Sequence, residues 1–524
     1  MSRKLLTLLM VLAVLSTLMV ASVGAQDEAG GGGTLVGAFD VGPGGAPQVI
    51  PYFDTAGRDW LSKIWSPLIS WDETMSGLVP EIAVEWTSND DATVWTFELR
   101  EGVLWHDGEA LTADDVVFSL NLALDPEAVT SFPTLSQLQR ESVLSVTALD
   151  ELTVEIELDA PRPRLPFFMI FLWILPEHEL ADINPAEYQN LDWFFTNPIG
   201  TGPFMHDEFE DDQFWALVPN PDYFRGAPKL DRLVNRYFAD ETAAVLALEA
   251  GEIDFTYASG DVALGLADEF DLYDGPSGVT NYFIFNLRNP ALADVRVRQA
   301  MLYAIDREAI SETILEGTAE VVPCISPFPA MWPEEYNDYA YDPDMARELL
   351  AEAGWDSSQT VEVMTYYDSQ FHLDAMAAQQ AFLADVGVNI VPVSQDVPTY
   401  NSYFYTGEGW DISYRGIGVN VGNFPFTFYV SGGWDTVDGL PLAGEEFPEL
   451  VELLEAAQAE ADPDAYLGLL QDICAFQNEI ALEGYMWTAV RFGVGSPDLR
   501  DFHWFPAAGG GPYLSNAHLW YVEE

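Results

Sequence analysis

The chain has 524 residues, 49% of them hydrophobic and 13% aromatic, which is enough apolar material for two or three packed cores and excludes an intrinsically disordered protein. Its 85 acidic and 20 basic residues give a formal net charge of −65, which argues against nucleic acid and anionic membranes as partners. The acids run along the whole length, as a solvated shell adapted to high salt would, instead of gathering into one cation site.

At the amino end, Arg3 and Lys4 precede an uncharged stretch from Leu5 to Val23, and Val23-Gly24-Ala25 supplies small residues. That is the layout of a cleaved secretory signal peptide over 1–25, and its loss would leave 18 basic residues against 85 acids. The first cysteine is Cys324, so no thiol stands at the cleavage point to carry a lipid. The expected location is therefore periplasmic or extracellular, without a lipid anchor. Gln26 to Gly33, with four consecutive glycines, reads as a flexible linker.

Strand and helix signals then alternate, giving a mixed α/β class. Trp95, Phe97 and Leu99 alternate with polar neighbours, as do Leu152, Val154, Ile156 and Leu158, which predicts two half-buried strands. Between them, Thr112 and Asp115 form a capping box ahead of Val117, Leu120 and Leu124 at helical spacing. A helix from Glu241 to Ala250 ends at Gly251. Asp294 caps a helix burying Val297, Met301 and Ile305, and Asp342-Pro343 opens one that stops at Gly354. The two cysteines, Cys324 and Cys474, fit one disulfide in an oxidising compartment. Cys474 also lies on an apolar helical face that suits a buried free thiol. A bridge would close a loop of ~150 residues, worth about 5 kcal/mol in the chain-entropy model.

Catalytic and cofactor signatures are incomplete. No lysine follows a glycine as a phosphate-cradling loop requires, and Gly416-Ile417-Gly418 lacks the third glycine of a dinucleotide fingerprint. His178-Glu179-Leu180-Ala181-Asp182 begins like a zinc-protease helix but ends in Asp where the second histidine must stand. No metal and no cofactor are expected from these residues. Paired carboxylates, as in a secreted carbohydrate-active enzyme, are the enzymatic alternative, because 85 acids make any single pair uninformative.

Asp90 to Gly108, reading Asp-Asp-Ala-Thr-Val-Trp-Thr-Phe-Glu-Leu-Arg-Glu-Gly-Val-Leu-Trp-His-Asp-Gly, followed by Leu111 to Phe118, resembles the signature of family 5 extracellular solute-binding proteins. These are the oligopeptide, dipeptide and nickel binders of ABC importers. Further similar blocks follow in order: Pro198 to Phe204, Asn220 to Gly226, Ala250 to Asp254, Asp294 to Arg307, and Tyr341 to Gly354. His106 and Arg298, within such blocks, read as fold-holding residues.

The resemblance implies a two-lobed periplasmic-binding-protein fold with two hinge strands, near Tyr282–Leu287 and Met486–Val494, and an extra subdomain on the first lobe. The expected division is 34–75, 192–286 and 495–524 for the first lobe, 76–191 for its subdomain and 287–494 for the second lobe. The expected function is capture of a peptide-like solute between the lobes by a monomer, for delivery to a permease and ATPase complex. Peptide binders hold the ligand's α-amino group with a carboxylate in the loop matching Gly416 to Phe424, yet that loop has no acid here. It offers Arg415, Asn420 and Asn423, which raises a neutral ligand such as an oligosaccharide as the alternative. Tyr52, Phe53 and Phe132 from the first lobe, with Trp434, Tyr485 and Trp487, match cleft-lining segments. Trp410 is assigned to the core. A sensor without an importer and a nickel binder are the remaining alternatives.

Overall fold

The computed structural model describes residues 32–39, 58–71, 77–125, 128, 143–326, 328–404, 409–418, 447–503 and 516–523. The expected signal peptide and most of the linker lie outside them. Among the described residues, no helix is long and apolar enough to cross a membrane.

The first lobe and its subdomain contribute β1 (Thr34–Ala38), β2 (Ile69–Trp71), β3 (Leu78–Pro80), β4 (Ala83–Ser88), β5 (Val94–Leu99), β6 (Val143–Asp150) and β7 (Thr153–Leu158). They continue with β8 (Phe204–Glu210), β9 (Phe214–Pro219), β10 (Arg232–Arg236) and β11 (Phe255–Ala258). The chain then passes through β12 (Asp271–Phe285), β13 (Ala319–Val321), β14 (Thr360–Thr365), β15 (Asn389–Ser394), β16 (Ile412–Gly418) and β17 (Glu483–Gly495). An antiparallel sheet in the order β4-β5-β7-β6 forms the subdomain, and its alternation buries Phe97, Leu99, Val154, Ile156 and Leu158 as the sequence predicts. The main sheet runs β15-β14-β16-β12-β17-β11-β1-β10-β9-β8, with β13 added beside β17.

Two long strands carry this sheet from one lobe to the other. One end of β12 pairs with β17 at Asp271 to Pro276, beside the first-lobe strand β11. Its other end pairs with β16 from Val279 to Phe285. A register shift between Pro276 and Thr280 marks the crossing. The crossing on β12 thus lies upstream of the expected Tyr282–Leu287, and Tyr282 to Phe285 pack in the second lobe's core. Their unbroken apolar run reflects burial on both faces of the sheet. On β17 the change of partner falls inside the expected segment: Trp487 to Ala489 face β13, and Phe492 to Gly495 face β11.

Separate cores fill the lobes. One joins the subdomain to the first lobe through Trp60, Trp65, Trp105, Trp215 and Phe255, and another holds Met301, Leu350, Trp410, Tyr414 and Ile473. Helix starts follow the predicted caps: Asp115 Oδ2 accepts from Thr112 N at 2.9 Å, and Asp294 Oδ1 accepts from Arg296 N at 2.9 Å. The Pro343–Ala353 helix ends at Gly354 with φ 72°, the left-handed turn that glycine adopts without a Cβ clash. Cys324 and Cys474 are fully buried and disulfide-bonded, with Cα atoms 5.4 Å apart, which resolves the open choice between bridge and thiol.

Candidate functional site

The family-like blocks first serve the frame of the site. His106 Nε2 donates to Gly202 O and His106 Nδ1 accepts from Gly200 N, each at 3.1 Å, a pairing that requires the neutral ring. Burial pushes this imidazole down to about 4, in keeping with that arrangement. A Cβ on Gly200 would lie 1.9 Å from Ile64 O, so this loop approaches the Arg58–Ile64 helix too closely for any side chain. Arg225, from the Asn220–Gly226 block, donates to Glu81 Oε2 at 3.0 Å and ties the first lobe to its subdomain. Burial raises the Glu81 carboxyl, and the neighbouring Arg225 and Arg100 charges pull it the other way. Arg298 donates to the carbonyls of Ala481, Leu292, Ala293 and Ile480, all at 2.8 Å, and is fold-holding as expected.

The crossing itself supplies the candidate site. Strands β14 and β16 are parallel, and their carboxyl ends carry Tyr366-Tyr367 and Arg415 to Gly418. Crevices at the carboxyl ends of parallel strands are where α/β sheets receive ligands. Beside them, Asn281 of β12 pairs with Gly416 on one flank and with Trp487 on the other. Cross-strand partners project to one face, so these three positions line up across the sheet. A Cβ at Gly416 would fall 2.4 Å from the Tyr367 hydroxyl and 2.6 Å from Val279 Cγ1, so the strand stays bare there.

This wall is aromatic and holds polar groups in reserve. Asn281 Oδ1 and Trp487 Nε1 are buried without a hydrogen-bond partner among the described residues, as is Thr280 Oγ1 on the opposite face of β12. Tyr367 stacks on His372 at 3.6 Å, and the His372 Nδ1 lies 3.2 Å from the Tyr414 hydroxyl. Burial drives His372 down to about 3, so it is neutral. Positive charge here comes from Arg415, whose Nε donates to Gly416 O at 3.3 Å and whose guanidinium lies 5.1 Å from the Phe404 ring.

Of the residues chosen from sequence, Arg415, Tyr485 and Trp487 are described; Tyr52, Phe53, Phe132, Asn420, Asn423 and Trp434 lie outside the described residues. Arg415 and Trp487 both flank the crossing, Trp487 fully buried in the second lobe's core with its indole Nε1 unpartnered among the described residues. Tyr485 is buried lower in the second lobe, stacked on Tyr282 with its hydroxyl donating to Glu483, so packing already accounts for it. Sequence reasoning missed Tyr366, Tyr367 and Asn281. The tyrosine pair follows the end of β14, which no sequence signal had marked, and Asn281 becomes visible only once β12 is set between β16 and β17.

Asp107, His178 and Glu179 form the grouping that could hold a metal ion among the described residues, with their ligand atoms within 4.8 Å of one another. It borders a cavity of about 370 Å³ in the subdomain, lined also by Glu109, Asp114 and Asp182. His178 Nε2 lies 2.9 Å from Asp107 Oδ2, and both side chains are partly exposed. The two groups satisfy each other through this hydrogen bond, which gives the triad a structural account.

A family model described as bacterial extracellular solute-binding proteins, family 5 Middle, matches residues 77–436. A Brucella ovis protein whose name assigns it to ABC transporter peptide binding is 37% identical over 524 residues, covering 98% of each chain. The oligopeptide-binding protein AppA of Bacillus subtilis is 26% identical over 498 residues, 88% of each chain. Among solved structures, AppA from Bacillus subtilis with a nonapeptide matches at TM-score 0.78 and 22% identity, over 94% of this chain and 99% of that one. NikZ from Campylobacter jejuni with Ni(L-His) matches at TM-score 0.76 and 22% identity, over 93% and 99%. These structural likenesses establish the fold.

Proposed function

This chain belongs to the bacterial extracellular solute-binding proteins of family 5, and from that premise we propose that it captures a peptide between its lobes and delivers it to an ABC permease and ATPase complex. The observation that carries the peptide is the match to relatives named for ABC transporter peptide binding, maintained over 98% of both chains. The crossing adds chemical support. Trp487 Nε1 can donate to a carbonyl and Asn281 Oδ1 can accept from an N–H, the two halves of a peptide group. Tyr366 and Tyr367 offer apolar faces for side chains. A closed form that contacts ligand from both lobes would be favoured by binding, which is how a hinge protein reports occupancy to its permease. The reading includes no catalytic step. Export by a cleaved signal over 1–25, release without a lipid anchor, and a monomeric state belong to the same proposal.

The loop from Gly416 to Phe424 departs from the carboxylate pattern of peptide binders, so this loop supplies no carboxylate clamp for a peptide's amino terminus. N-acetylation should then change affinity by less than about tenfold, since no desolvated ion pair is lost with the charge. A thermal-shift panel of free peptides, their N-acetylated forms, oligosaccharides and nickel-histidine tests this. Ligand at 100 times its Kd stabilises by about 2.7 kcal/mol. Stabilisation by free and acetylated peptides supports the reading; stabilisation by oligosaccharides alone rejects it.

A further inference from the structure

Away from the crossing strands, the two lobes touch again at Arg164 and Tyr466. Arg164 follows β7 at the start of the short Leu165–Phe168 helix, and Leu165 and Phe168 pack in the first lobe's core. Tyr466 stands on the Pro463–Glu479 helix and is buried in the second lobe's core. The Arg164 guanidinium carbon lies 3.3 Å from the centre of the Tyr466 ring, while Phe167, from Arg164's own side, sits 5.6 Å away.

The chemistry of this contact is one-sided. Arg164 Nε and Nη2 are buried and donate to no acceptor among the described residues. A guanidinium held that way loses hydration, and the ring face is what compensates it; Arg suits this place because its planar cation is weakly hydrated and stacks. Burial lowers the Arg164 guanidinium from its ordinary value, while Tyr466 and the carboxylate of Glu460, both from the second lobe, act to keep it charged. A residue that merely stabilised one lobe would find its compensation inside that lobe. Here the cation is in one core's margin and its ring in the other's.

We propose that Arg164 and Tyr466 form a latch across the cleft that sets how much of the ligand-free protein is closed. Opening must return Arg164 to water and uncover the Tyr466 ring, which is 2% exposed in this structure. The contact therefore contributes to the closed state alone, which is the condition for moving a two-state equilibrium. Its loss should also weaken ligand capture, because affinity scales with the closed fraction. The inference rests on the hinge-closure reading but requires no ligand for its test.

Spin labels on an Asp90→Cys, Glu455→Cys background would report the distance between the lobes in ligand-stripped protein, with folding of each variant checked by its melting curve. Arg164→Gln and Tyr466→Leu should each raise the open-to-closed ratio about tenfold, equivalent to about 1.4 kcal/mol, whereas Tyr466→Phe, which keeps the ring, should leave it near the parent. Arg164→Gln is made at a partly exposed position and should keep its fold even where Tyr466→Leu does not. An unchanged distance distribution in folded Arg164→Gln would overturn the latch. That result would leave peptide binding itself untouched, since the thermal-shift panel measures it separately.

Discussion

Individual side chains here divide between those that hold the frame and those that face the cleft. Arg298 donates to four carbonyls and is 1% exposed. Arg298→Met should cost on the order of 3–5 kcal/mol in denaturant unfolding, and Arg298→Lys should recover little, because a single ammonium cannot match the planar fork. His106 and His372 make a second prediction, in pH. Burial depresses both rings, to about 4 and about 3, below the unfolded value of 6.5. Between those values the unfolded chain binds more protons, so this contribution to stability is complete above about 6.5 and is lost as pH falls toward 4 and then 3. A His106→Gln, His372→Phe variant should melt with a shallower acid-side slope than the parent between pH 6.5 and 4, by a few kcal/mol in total. An identical slope would show that neither ring is held neutral.

At the scale of elements, the disulfide and the caps show what pattern reading can reach. Cys324 lies beyond β13 and Cys474 on the Pro463–Glu479 helix, 150 residues apart, so the bridge fastens two distant parts of the second lobe. Cys324→Ala with Cys474→Ala should lower stability by up to about 5 kcal/mol, read from urea unfolding, and reductant should lower the parent's stability likewise without affecting the variant. The strands at 94–99 and 153–158, the capping box at Thr112 and Asp115, and the stop at Gly354 were legible because each depends on neighbours in sequence. The crossing was less so. The family resemblance placed a hinge at Tyr282 to Leu287, but Tyr282 to Phe285 are buried in the second lobe's core. The crossing depends on which strand β12 pairs with, and pairing partners are not written locally. Asn281 and Trp487 share this limit: their meaning comes from register, and the Trp487 assignment rested on the family resemblance.

The molecule as a whole is governed by its charge. The described ion pairs draw on few basic residues, among them Arg225, Arg232, Arg347 and Lys229, against 85 acids in the chain. Most carboxylates therefore repel one another through solvent, and salt should relieve that repulsion as the Debye length falls from ~10 Å at 0.1 M to ~3 Å at 1 M. The melting temperature should rise by several degrees between 0.1 and 1 M potassium chloride, and a flat or falling series would contradict a salt-adapted surface. The two lobes, the paired crossing strands and the tyrosine-lined wall all converge on one claim, that a peptide is enclosed by hinge closure. Small-angle scattering of ligand-stripped protein titrated with a defined peptide mixture tests it most directly. The account predicts that the radius of gyration falls and saturates with the same concentration dependence as the thermal stabilisation. Peptide-induced stabilisation with no compaction would contradict it.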